Sequence, residues 1–84
     1  MPVFMLRRWT VRLRKVGSNM TELHKDGNVI LFSYETPVAS NVDGGFIRTQ
    51  LSHSLTTTRH IHKWLRGASY KTVPQQTIED VLNG

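Results

Sequence analysis

The chain reads as an α+β domain: a small antiparallel β-sheet of about four strands, one amphipathic helix packed on it, and a short C-terminal helix. Period-two alternation of apolar and polar residues dominates the first 53 positions. Asp26-Gly27 and Asp43-Gly44 are turn pairs that tolerate positive φ, the mark of tight hairpins. After Ser54 the apolar spacing changes to that of a helix. The 84 residues leave room for a single domain, 1–84, with strands mainly over 1–53, a helix over 54–67 and a short terminal helix over 74–83.

In the first element, "WTVRLRKV", Trp9, Val11 and Leu13 share one face and Thr10, Arg12 and Arg14 the other. A helix is the rival, since Leu6, Trp9, Leu13 and Val16 recur at helical spacing, but Val11 would then fall off the apolar stripe. A half-buried strand is preferred, its arginines facing solvent. "VGSN" ends it in turn residues, and Asp26-Gly27 turns "MTELHK" back on itself. Residues 28–42 then read as one long ribbon bent near Pro37, where the missing amide donor implies an edge, a bulge or a bend. "DGG" at 43–45 turns this ribbon into "FIRTQL", a further strand.

In "SLTTTRHIHKWL" the hydroxyls of Ser54, Thr56 and Thr57 can cap a helix N-terminus. Ile61, Trp64 and Leu65 recur at i, i+3, i+4, and Arg59, His62, Lys63 and Arg66 line the opposite side. Gly67 closes the element as a residue beyond the C-cap. Ile61 and Trp64 are expected to dock the helix on the sheet, with Arg12 and Arg14 pointing away from it. "ASYKTV" reads as a connector, and Pro74 opens the last helix, whose apolar face is Ile78, Val81 and Leu82.

Several chemistries are disfavoured. The chain has no cysteine, hence no disulfide and no thiolate metal site. Of the four histidines, His60 and His62 are two apart on the predicted helix and project about 200° from each other, so they cannot share an ion. His60 is better read as a hydrogen-bonded boundary residue beside Trp64. With no nucleophile elbow, no phosphate cradle and no paired carboxylates, the chain is expected to be neither an enzyme nor a cofactor or metal protein. No apolar run is long enough to span a membrane, and "MPVFMLRR" reverses the order of a secretory signal, so an intracellular protein is expected.

Charge is the sharpest signal. The net charge is +5, and Arg7, Arg8, Arg12, Arg14 and Lys15 account for all of it, because the six later bases are balanced by six acids. A local positive field attracts phosphate or an acidic protein surface. Arg8, Thr10, Arg12 and Arg14 would form one donor row on a strand face, with Arg7 and Lys15 beside it in the same basic segment, and Arg59, His62, Lys63 and Arg66 a second. Arginine forks suit phosphate oxygens without reading sequence. Trp9, Phe32, Tyr34 and Phe46 could stack on bases if outward, although at strand spacing such rings are more often core. Nucleic-acid binding through the basic strand is therefore the leading expectation. The rival is a protein–protein module that docks the strand on an acidic host protein or pairs an exposed edge near Pro37 with a partner sheet.

"LFSYETPVAS" and "TTTRHIHKWL" also resemble a family of small phage and archaeal-virus proteins of unknown function, marked by an FSY-x-TPVA segment and a TT-x-RHI-x-KWL helix. The likeness covers roughly residues 28–66. Family members often carry Gly at the place of Glu35 and an aromatic pair where Phe46 and Ile47 stand, and they lack the basic run before Lys15. The resemblance implies a viral origin and action in the cytoplasm of an infected host. There such a protein would bind a host or phage macromolecule, in host takeover or against host defence. It carries over no catalytic residue.

Overall fold

The computed structural model describes residues 12–51 and 53–83. Six strands form one sheet in chain order: β1 (Arg12–Gly17), β2 (Met20–Lys25), β3 (Asn28–Ser33), β4 (Thr36–Val42), β5 (Gly45–Thr49) and β6 (Tyr70–Val73). Helix α1 (Leu55–Leu65) joins β5 to β6, and α2 (Gln75–Asn83) follows β6. The first four pairings are antiparallel and the last, β5 with β6, is parallel.

The α+β class stands, but the expected sheet of about four antiparallel strands is wrong: the sheet has six strands and is mixed. Two local features account for the difference. The expected long ribbon is two strands, because the chain reverses at Tyr34-Glu35 rather than bending at Pro37. Tyr34 takes a φ of 59° and donates its N–H to the Asn19 carbonyl at 2.7 Å. A bulky residue seldom occupies the left-handed region, so no turn signal marks the spot. Pro37 then sits inside β4, opposite Phe32 and next to a bulge where the register slips between Leu31 and Phe32. The β4–β5 ladder runs only from Val42 to Ala39, and beyond it the Pro37 carbonyl is taken by the Gln75 side chain. The second feature is the supposed connector, which is β6. A helical crossover returns the chain to the same end of the sheet, and this is what makes parallel pairing possible.

Register fixes the two faces. Arg12 pairs with His24, Arg14 with Glu22, Glu22 with Leu31 and Leu31 with Ala39, so these side chains share one face of the pleat. Helix α1 covers that face, burying Ile61 and Leu65 against Met20, Leu31, Val38 and Ala39, with Val16, Phe46 and Trp64 at the margin. The other face carries Ile30, which is fully buried, as is Ile78 of α2. Gln75 anchors the start of α2 by donating to the Pro37 carbonyl at 2.7 Å, and Lys25 caps its end by donating to the Leu82 carbonyl at 2.6 Å. The exposed side of α2 carries Asp80.

Helix α1 begins as its hydroxyls suggest. Ser54 is the N-cap, its Oγ accepting from the Thr57 N–H at 3.2 Å. At the far end Arg66 and Gly67 both take positive φ, 54° and 79°, and the Arg66 N–H closes on the His62 carbonyl. At mid-height Ser33 Oγ lies 3.0 Å from Thr57 Oγ1 and 2.8 Å from His60 Nδ1, tying β3 to the helix through polar atoms.

Candidate functional site

The strand pattern of β1 suggested that Leu13 faces the core and Arg12 and Arg14 face away from the helix. The structure reverses this. Leu13 is 72% exposed, while Arg14 and the half-buried Val16 lie on the α1 side. The sheet continues past the footprint of α2, so the apolar side of β1 has no helix above it. The opposite side meets the flank of α1, and there the strand and helix enclose a cleft of about 700 Å³.

The cleft has an exposed mouth and a half-buried floor. Arg14 from β1 stands at one side of the mouth and Lys63 and Arg66 from α1 at the other, all three exposed. Lys15 also lines the rim, but its register position opposite Thr21 turns its side chain toward the other face of the sheet. Beneath them lie Glu22, His24, Asn41, Phe46 and Trp64. Alternation places Met20, Glu22 and His24 on the same side of β2, so the strand spends one position on the core and two on the cleft. Trp64 reaches across to donate its indole N–H to Glu22 Oε2 at 2.7 Å, and its ring meets Phe46 edge to face at 5.5 Å.

Glu22 is the one acid of this cleft. Its other oxygen accepts from His24 Nε2 at 2.9 Å, and its side chain is 16% exposed. Burial raises the carboxyl pKa, but hydrogen bonds from Trp64 and His24, and positive charge on His24 and Arg14, together hold it below its usual value. The carboxylate therefore stays ionised. Three exposed cations surround a single fixed anion, and the field at the mouth is positive.

The two rows of sequence-predicted binding residues are thus partly brought together. Arg14, Lys15, Lys63 and Arg66 share the cleft. Arg12 lines a smaller recess of about 340 Å³ that shares Arg14 and His24 with it. Arg59 is exposed on α1 but lies off the cleft, and His62 turns toward Arg48, whose Nη1 is 3.4 Å from its Nε2. Arg7 and Arg8 lie outside the described residues, as does Trp9. His60 is held by Ser33 and stacks at a tilt 5.9 Å from Tyr34, so it and His62 serve different surroundings. Among the described residues no group of three His, Asp or Glu side chains is placed to hold a metal ion, and no helix is long and apolar enough to cross a membrane.

Sequence reasoning missed Glu22 and His24. Their i, i+2 spacing behind Met20 was the available signal, but in a strand judged by its apolar residues they pass as solvent-facing.

A family model matches residues 11–80, a span that contains every residue of the cleft. The chain belongs to the family of unknown function DUF8033. No curated protein and no solved structure matches it. For this DUF8033 member the cleft itself is therefore the ground for a functional reading.

Proposed function

We propose that the chain is a non-enzymatic nucleic-acid-binding protein, and that the cleft between β1 and α1 is its binding surface. One observation carries this reading. Arg14 from an early strand and Lys63 and Arg66 from the helix far along the chain converge on a single concavity. Cations brought together from distant parts of a chain repel one another, and a polyanion relieves that repulsion. The geometry replaces the basic strand alone with a two-sided grip. The likeness to phage and archaeal-virus proteins suggests an accessory role in an infected cell.

The test is a salt series with fluorescently labelled oligonucleotides. Three phosphate contacts would give a slope of log affinity against log salt of about −2. Arg14→Ala combined with Lys63→Ala should weaken binding and flatten that slope by about 1.5. Binding by the double variant with unchanged affinity and slope would remove the cleft from consideration.

A protein partner is the second reading, and it rests on β6. That strand is four residues long, pairs only with β5 among the described residues, and exposes Tyr70. An edge of this kind can add a strand from another protein. Retention of one host protein after nuclease treatment, lost when Thr72 is changed to Pro, would favour it.

A further inference from the structure

The cleft divides by chemistry as well as by depth. Its exposed mouth is cationic, and its half-buried floor holds the Glu22 carboxylate with its partner His24, an amide and two aromatic rings. A phosphate suits the mouth better than the floor, where the fixed carboxylate would face it. The group that suits the floor is flat and uncharged, and it has amino hydrogens to donate. Glu22 uses one acceptor site on each oxygen, for His24 and for Trp64, and a carboxylate has about four. Asn41 adds both a donor and an acceptor.

We infer that the cleft takes an unpaired base of a single-stranded nucleic acid, base inward toward Glu22, Asn41 and Trp64, and flanking phosphates outward on Arg14, Lys63 and Arg66. This rests on the nucleic-acid reading above and narrows it. A duplex cannot satisfy both levels of the site, because its Watson–Crick edges are paired, its ring faces are stacked, and its phosphates lie on a convex outer surface. A splayed base of a single strand can enter while its backbone stays at the rim. The volume, about 700 Å³, is in the range of sites that enclose small ligands rather than of surfaces that seat a helix of DNA. Two aromatic rings in the lining supply a stacking surface that tolerates any base.

The experiment compares four labelled probes with the intact protein at low salt: a single-stranded oligonucleotide, the blunt duplex of the same sequence, an abasic strand of the same length, and poly-glutamate. The abasic strand keeps the phosphates and removes the bases. The expected result is single-strand binding about tenfold tighter than to duplex or abasic strand, the size of effect one stacked base can give. A change in Trp64 emission should accompany it in a Trp9→Phe background, since the chain has 2 tryptophans. Equal binding of single strand, duplex and abasic strand overturns the inference while leaving nucleic-acid binding in place. Absence of binding to all of the nucleic acids overturns both. Poly-glutamate binding as tightly as the single strand also overturns it, and points to an acidic protein as the partner.

Discussion

At Arg66 a cation of the cleft sits on a backbone in the left-handed region, with φ at 54°. That conformation brings Cβ against the following carbonyl and costs a non-glycine residue roughly 1 kcal/mol or more. Gly67 beside it has the freedom that Arg66 lacks. Arg66→Gly should therefore raise stability by about 0.5–1 kcal/mol, a melting-temperature gain of about 4 °C, while lowering oligonucleotide affinity. Thermal melts and binding curves on the same samples would show the two moving in opposite directions. Glu22 gives a pH signature. Its folded pKa lies below the ordinary 4.5, so its contribution to stability is present above that value and is lost as pH falls through the folded pKa. Melting temperatures of the wild type and Glu22→Gln should differ at neutral pH and converge as the pH is taken down through the lowered folded pKa, below the ordinary carboxylate range. A constant gap across that range would contradict the hydrogen-bonded carboxylate described above.

The strands and helices differ in how openly the sequence declares them. Asp26-Gly27 and Asp43-Gly44 adopt the paired positive φ that their composition suggests, and Ser54 caps the helix its hydroxyl promised. Tyr34 makes the β3–β4 turn without glycine or asparagine, and β6 has no apolar alternation, with Tyr70, Lys71 and Thr72 all exposed. Both depend on contacts far away in sequence, which is why local patterns do not announce them. The cleft was hidden for a related reason. The charges of β1 could be counted, but the side of the sheet they take depends on pairing with β2, and shifting that register by one would turn every side chain over. The same topology orders folding. β1 to β5 pair with neighbours in sequence, whereas β6 must wait for the α1 crossover. Pulse-labelled amide exchange during refolding should protect Leu31 and Ala39 before Lys71 and Val73, whose N–H groups face β5. Simultaneous protection would show that the crossover is already in place when the meander forms.

The molecule as a whole joins an open cationic concavity to a sheet whose other face is covered by α2 mainly over β3 to β5. Neither a count of basic residues nor the helical periodicity could show that the two arginine-bearing elements share one concavity, since they lie far apart in sequence and Trp64 reaches β2, next to β1, to bond Glu22. The placement of the helices on opposite faces has an electrical result. Arg14, Lys63 and Arg66 lie on the α1 side, and Asp80 is carried by the helix on the reverse. Such a particle has a dipole moment along the normal to its sheet. Near a polyanion it experiences a torque that turns the concave side forward before any contact is made, so collisions become productive more often and the association rate rises as ionic strength falls.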